Sequence, residues 1–143
     1  MPTILILNGP NLNLLGVREP EIYGRESLDD VNKGLRKAFP KVKFQVFQSN
    51  GEGELIDRLH EARGKVQGVV FNPGAYTHTS IALYDAVKAV DLPVVEVHLS
   101  LPEAREPFRR HSFITPACRG KIAGFGAHGY HLAVLALLKI IEG

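Results

Sequence analysis

The sequence ILILNGPNLNLLG at residues 4–16 joins a short apolar run to a loop rich in Asn, Gly and Pro. The run Ile4–Leu7 contains no polar residue, which is typical of a parallel strand buried on both faces of a sheet. The loop ends this run with residue types that favour turns. We therefore predict that the chain begins with a buried strand of an α/β sheet.

Apolar runs and helical patterns alternate along the rest of the chain. Ser27 precedes Asp29 and Asp30, which predicts an N-cap and an acidic first turn for a helix. The predicted elements are a helix at 27–39, a strand at 42–47, a helix at 54–62, a strand at 68–71, a helix at 79–90, strands at 93–97 and 121–125, and a helix at 130–141. Strands that alternate with helices pair in parallel through right-handed crossovers. The pattern predicts a flavodoxin-like three-layer α/β sandwich, with a five-stranded parallel sheet of order 2-1-3-4-5.

Composition restricts the class of protein. The 143 residues, 45% hydrophobic and 22% charged, are typical of one globular domain, which we expect to span residues 1–143. A net charge of +2, with acids and bases interleaved, argues against binding to nucleic acid or to a membrane surface. The single cysteine, Cys118, excludes an internal disulfide, and the first residues lack a signal-peptide pattern. We therefore expect a cytoplasmic protein.

Polar residues follow the first and third predicted strands. The first strand leads into Asn8, Asn11 and Asn13, and the third leads into NPGAYTHT at residues 72–79. Ligands of open parallel sheets bind beyond the carboxyl ends of the strands, where the strand order reverses. We therefore expect Asn72 and His78 in a binding site whose backbone amides suit a carboxylate. Turn formation is the alternative for the asparagines, and capping of the next helix is the alternative for Thr77 and Thr79.

The fourth strand carries two ionisable residues. Its sequence, VVEVHLS at residues 94–100, places Glu96 and His98 on one face of the strand. A carboxylate and an imidazole are costly inside a buried strand unless they pair. Pairing also orients the ring and raises its basicity. This favours a role in proton transfer, with a purely structural pair as the alternative.

Arginines are concentrated in two loops. The segment PEAREPFRRHS at residues 102–112 contains Arg105, Arg109 and Arg110. Their planar guanidinium groups could clamp an anionic ligand, and a solvent-exposed face is the alternative for at least one of them. Tyr23 lies in the other loop, between Arg18 and Arg25. A tyrosine has a pKa of about 10 in water, so it acts as a base only where positive charge lowers that value. A packing anchor is the alternative.

Two apparent ligand motifs are rejected. GFGAHG at residues 124–129 matches the dinucleotide fingerprint, but no later strand carries the acidic residue that this fingerprint requires. Tight turning before the last helix explains these glycines better. Four further histidines show no spacing that is typical of a metal site. They are His60, His111, His128 and His131. No metal and no cofactor are expected.

Seven segments carry most of the polar loop residues. They are NGPNLNLLG (8–16), REPEIYG (18–24), QSNGEGELID (48–57), FNPGAYTHTSIAL (71–83), EVHLS (96–100), AREPFRRHS (104–112) and GFGAHGY (124–130). Together and in this order they resemble the type II 3-dehydroquinate dehydratases, which are lyases of the shikimate and quinate pathways with a flavodoxin-like fold.

The resemblance implies a cofactor-free anti dehydration of 3-dehydroquinate to 3-dehydroshikimate through an enolate. Tyr23 would be the general base, on a mobile lid with Arg18. His98, held by Glu96, would be the general acid, and Asn11 would steady the enolate through a bound water. The implied substrate-binding residues are Asn72, Gly74, His78, Asp85, Leu99, Ser100 and Arg109. Asp85 would reach the site of a neighbouring subunit, in a dodecamer assembled from trimers.

The chain departs from the family pattern at several positions. Leu101, Pro102 and Glu103 stand where many members have Asn, an aliphatic residue and His. A different set of local contacts is therefore expected on the way to Arg105. Tyr84 stands where an arginine is frequent, so a common charge pair at the subunit contact is expected to be absent.

The main rival interpretation is a binding or signalling module with the same fold, such as a flavin carrier or a phosphoacceptor domain. A phosphoacceptor requires acidic residues after the first strand and an Asp after the third. The chain has Asn8 and Asn72 at these positions. The polar residues at the strand ends therefore favour an enzyme.

Overall fold

The computed structural model describes all 143 residues and contains one sheet of five parallel strands. The strands are β1 (Thr3–Asn8), β2 (Lys43–Gln48), β3 (Gly68–Asn72), β4 (Val94–His98) and β5 (Gly120–Ala123). Their order is β2-β1-β3-β4-β5, which confirms the predicted topology. The helices are α1 (Pro20–Tyr23), α2 (Leu28–Ala38), α3 (Glu52–Ala62), α4 (Ile81–Val90) and α5 (His128–Glu142). None of them combines the length and the apolar composition needed to span a bilayer.

Side chains alternate along the strands and form a separate apolar core on each face of the sheet. On one face, Ile4 and Ile6 pack with α2 and α5, and on the other, Leu5 and Leu7 pack with α3 and α4. The same alternation places Asn8 on the α5 face, because it continues the row of Ile4 and Ile6. Glu96 follows the row of Val94 on the α4 face.

The predicted N-cap of α2 is confirmed. The hydroxyl oxygen of Ser27 accepts a hydrogen bond from the Asp30 backbone amide, and the Asp30 carboxylate accepts one from the Ser27 amide. The two bonds form a capping box, which satisfies amides that the first turn of a helix leaves free.

Neither Thr77 nor Thr79 caps the helix that follows β3, so this alternative is wrong. Residues Gly74–His78 form a 3₁₀ turn, which delays the start of α4 to Ile81. Ser80 is the N-cap, and its hydroxyl oxygen accepts a hydrogen bond of 2.9 Å from the Leu83 amide. Thr77 is thereby free to face the sheet, where it meets β4.

Several predicted boundaries also move. α3 begins at Glu52, two residues before the predicted start, and α5 begins at His128. β5 ends at Ala123 because Gly124 turns the chain with φ 93°. β3 and β4 extend to Asn72 and His98, so the polar residues at their ends belong to the sheet itself.

Candidate active site

The carboxyl ends of β1, β3 and β4 meet at a cavity of about 240 Å³. The predicted site residues that line it are Asn11, Arg18, Tyr23, Asn72, Gly74, His78, His98, Leu99, Ser100 and Arg109. The other lining residues are Pro10, Leu12, Ala75, Pro102 and Arg105. Glu96 contacts His98 from outside the cavity, and Asp85 is exposed on α4, away from it. The structure therefore brings ten of the twelve predicted site residues together in one cavity.

A larger groove of about 600 Å³ lies at the other end of the strands, beside the amino ends of β1, β2 and β3. Its walls are mainly apolar and include Val42 and Leu138. Its only charged side chains, Lys41 and Glu142, belong to solvent-exposed residues. The smaller cavity is the candidate active site because it alone collects histidines, arginines and a tyrosine.

Tyr23 ends the short helix α1 and lies between two arginines. The guanidinium carbon of Arg18 is 4.7 Å from the centre of the Tyr23 ring, and that of Arg105 is 5.1 Å from it. Glu19 and Gly24 have φ angles of 40° and 91°, so the backbone turns sharply on both sides of α1. These turns bring the tyrosine ring back over the cavity.

His98 and Glu96 form a buried pair. The Nε2 atom of His98 lies 2.5 Å from Oε2 of Glu96, whose side chain has no exposed surface. Burial opposes ionisation of Glu96, but hydrogen bonds from His98, Thr115 and Thr77 outweigh it and hold the pKa of this carboxyl below its usual value. The pair therefore presents a carboxylate to the ring, and Nδ1 is the ring nitrogen left for a ligand.

Hydroxyl groups hold Glu96 from two further loops. Thr77 donates to Oε2 at 2.6 Å, and Thr115 donates to Oε1 at 2.5 Å. The Ser112 oxygen accepts hydrogen bonds from the amides of Ile114 and Thr115, so its own hydrogen is directed to the Thr77 hydroxyl, 2.5 Å away. This arrangement leaves Glu96 as the common acceptor. The sequence patterns did not identify Thr77 and Thr115 as partners of Glu96, or Ser112 as the partner of Thr77.

Comparison with known proteins decides the family. A family model described as dehydroquinase class II matches residues 2–138. The chain belongs to the class II dehydroquinase family. The 3-dehydroquinate dehydratase of Pelodictyon phaeoclathratiforme is 57% identical over 138 residues, covering 95% of this chain and 91% of that protein. The 3-dehydroquinate dehydratase of Variovorax paradoxus is 56% identical and covers 96% of this chain and 99% of that protein.

Solved structures agree with this class II dehydroquinase assignment. The crystal structure of type II dehydroquinase from Butyrivibrio crossotus superposes with a TM-score of 0.93 at 41% sequence identity. The match covers 96% of this chain and 97% of that one. The flavodoxin-like fold predicted from the sequence is thereby confirmed.

The dehydroquinase cavity contains a second histidine, His78. Its Nδ1 atom lies 2.7 Å from the carbonyl oxygen of His111, so Nδ1 carries a hydrogen and donates it. Burial lowers the pKa of His78, and the charges of His98 and Arg109 lower it further. The hydrogen bond to His111 raises the pKa, but it does not outweigh these influences. At neutral pH the ring is uncharged, and Nε2 can accept a hydrogen bond from a ligand hydroxyl.

The three asparagines at the end of β1 and in the loop after it have different surroundings. Asn11 has φ 69°, and its amide donates to the Asn50 side chain at 3.0 Å. Gln48 on β2 donates to the Gly9 carbonyl oxygen at 3.0 Å, which ties the same loop to the sheet edge. Only Asn11 lines the cavity, whereas Asn8 is buried beneath the loop and Asn13 is exposed.

The departures from the dehydroquinase pattern form contacts of their own. Glu103 pairs with Lys121 of β5 at 3.1 Å. Pro102 is buried and lines the cavity. This segment leads to Arg105, which donates to the Ser100 hydroxyl at 3.2 Å. The altered segment therefore still delivers Arg105 to Tyr23.

Proposed function

We propose that residues 1–143 form one catalytic domain that dehydrates 3-dehydroquinate to 3-dehydroshikimate without a cofactor. Membership of the dehydroquinase family supports the substrate and the overall reaction. One observation carries the mechanism: Tyr23, between two guanidinium groups, lines the same cavity as His98, which is backed by a buried carboxylate. A base and an acid are thus available to one bound ligand.

Tyr23 is the proposed general base. Arg18 and Arg105 both contact its ring, so two cationic groups lie beside the phenol. The phenolate oxygen takes a proton from the carbon next to the ketone of 3-dehydroquinate. The electrons of the broken C–H bond then move onto the ketone oxygen and form an enolate.

Asn11 and His98 complete the elimination. Asn11 steadies the enolate oxygen through a bound water, and its backbone is held in place by Asn50. When the enolate collapses, the C–O bond to the β-hydroxyl breaks and His98 gives this oxygen a proton from Nδ1, so that water leaves. Glu96 remains ionised and stabilises the imidazolium form of His98. Transfer of the proton from Tyr23 back to His98 through solvent restores the site.

Substrate binding is assigned to the polar residues that line the cavity together with Tyr23. Arg109 binds the carboxylate, since the bond of its Nε to Glu106 at 2.7 Å leaves its terminal nitrogens for a ligand. His78 accepts from a substrate hydroxyl, and Asn72 and Ser100 bind further oxygens. Gly74 and Leu99 approach the ligand through backbone.

We also propose that the protein is cytoplasmic and that its trimers assemble into a dodecamer. Asp85 is exposed on α4 and lies outside the cavity of its own chain. If Asp85 binds substrate, it therefore does so in the site of a neighbouring subunit. The exposed positions of Ile81 and Asp85 on one helix are compatible with a subunit contact there.

Stereospecific labelling tests the proposed anti course. Two samples of 3-dehydroquinate are prepared, each with deuterium at one of the two positions on the carbon that loses the proton. We expect the product to lose deuterium only when the label lies on the face opposite the leaving hydroxyl. Mass spectrometry of the product reads the outcome. Loss from the same face would contradict the proposed anti elimination.

A further inference from the structure

A buried tyrosine connects the two asparagines at the ends of β1 and β3. Tyr130, in the first turn of α5, is completely buried, and it is the last residue of GFGAHGY. Its hydroxyl lies 2.6 Å from Oδ1 of Asn8 and 3.0 Å from Nδ2 of Asn72. Of these three residues, only Asn72 lines the cavity.

The direction of each hydrogen bond in this group is determined. The Gly74 amide can only donate, so the Asn72 atom 3.1 Å from it is Oδ1. Nδ2 of Asn72 therefore faces Tyr130 and donates to its oxygen. The single hydroxyl hydrogen of Tyr130 is then left for Oδ1 of Asn8. Reversing one bond would place two donors, or two acceptors, against each other elsewhere in the group.

This arrangement leaves one group of Asn72 for a ligand. Nδ2 has two hydrogens, of which Tyr130 accepts one, and the second is available at the cavity wall. We infer that Tyr130 is a positioning residue, which orients Asn72 as a hydrogen-bond donor to an oxygen of the bound substrate. The inference rests on the proposed function, since it assigns a role within the same site.

Two other features agree with this role. Burial raises the pKa of Tyr130, so its hydroxyl keeps its hydrogen over the working pH range and does not compete with the catalytic proton transfers. Nδ2 of Asn8 is buried without a hydrogen-bond partner. An apolar residue at position 8 would avoid this unpaired group, but it would not accept the hydrogen of Tyr130.

The test is Tyr130→Phe, which keeps the ring and removes only the hydroxyl. We expect KM for 3-dehydroquinate to rise about tenfold, the equivalent of one hydrogen bond, with kcat changed less than about threefold. The matched control is Val134→Ala, which weakens the packing of the same helix without touching Asn72. Its KM should equal that of the wild type even though it unfolds at a lower temperature.

A double-mutant cycle separates positioning from stability. If Tyr130 acts through Asn72, Tyr130→Phe should leave KM unchanged in an Asn72→Ala background. A normal KM for Tyr130→Phe, or an equal rise in both backgrounds, overturns the inference. An inactive wild type would instead refute the proposed function. If Tyr130→Phe does not fold, Asn8→Leu disturbs the group from its other end and must raise KM in the same Asn72-dependent way.

Discussion

Tyr23→Phe is expected to lower kcat about 1000-fold, because it removes the proposed general base and leaves the cavity otherwise intact. KM should change only a few-fold, since Arg109, His78 and Asn72 still bind the substrate. The measurement is steady-state turnover of 3-dehydroquinate by the purified variant.

The matched control is Tyr84→Phe. Tyr84 lies on α4, outside the cavity, and its side chain makes no hydrogen bond within the chain. Its loss of a hydroxyl should leave kcat within about twofold of the wild type. Turnover by Tyr23→Phe close to that of Tyr84→Phe would show that another group removes the proton.

Glu96→Gln is expected to have the second largest effect, on both activity and stability. The amide nitrogen of Gln is a donor, and it would face the donors that now surround the carboxylate. We expect the free energy of unfolding to fall by roughly 3 kcal/mol at pH 7, as is usual when one partner of a buried pair is removed. We also expect kcat to fall about 100-fold, because the imidazolium of His98 loses its counter-charge. Urea unfolding and turnover measure the two effects.

The stability effect should depend on pH with a defined sign. The pKa of Glu96 is lower in the folded chain than its usual value of 4.5. Ionised Glu96 therefore stabilises the fold above pH 4.5, and this contribution is lost as the pH falls through the lowered pKa. The difference between wild type and Glu96→Gln should accordingly shrink in acid. Glu103→Gln, a change at a more exposed carboxylate, should show a much smaller difference at every pH.

The fold follows from apolar periodicity, but the element ends do not. Alternating apolar strands and amphipathic helices leave few topologies, so the strand order was predictable. The predicted strand bounds, 68–71 and 93–97, left Asn72 and His98 one residue beyond their strands. In the structure both are buried strand residues. The amide nitrogen of Asn72 donates to Tyr130, 58 residues away. His98 pairs with Glu96 on its own strand, and Thr77 and Thr115, each 19 residues from Glu96, hold that carboxylate.

Sequence patterns could not predict these long-range hydrogen bonds. Thr77 lies 19 residues from Glu96, and Tyr130 lies 122 residues from Asn8. No local spacing links such pairs, because only the folded sheet brings them together. His98, Tyr23 and the arginines could be proposed as site residues from the sequence, because they stand in long specific segments that resemble one family.

We propose that this chain eliminates water from 3-dehydroquinate by acid–base catalysis with its own side chains. Ultraviolet absorbance after adding 3-dehydroquinate tests it most directly, because the product is a conjugated enone carboxylate and the substrate is not. The enzyme is assayed before and after treatment with borohydride in the presence of substrate, which inactivates enzymes that form a Schiff base with lysine. We predict a rise in absorbance that the treatment does not reduce. No rise at high enzyme concentration would show that the chain does not catalyse this elimination, and a rise that borohydride abolishes would show that a lysine Schiff base carries it.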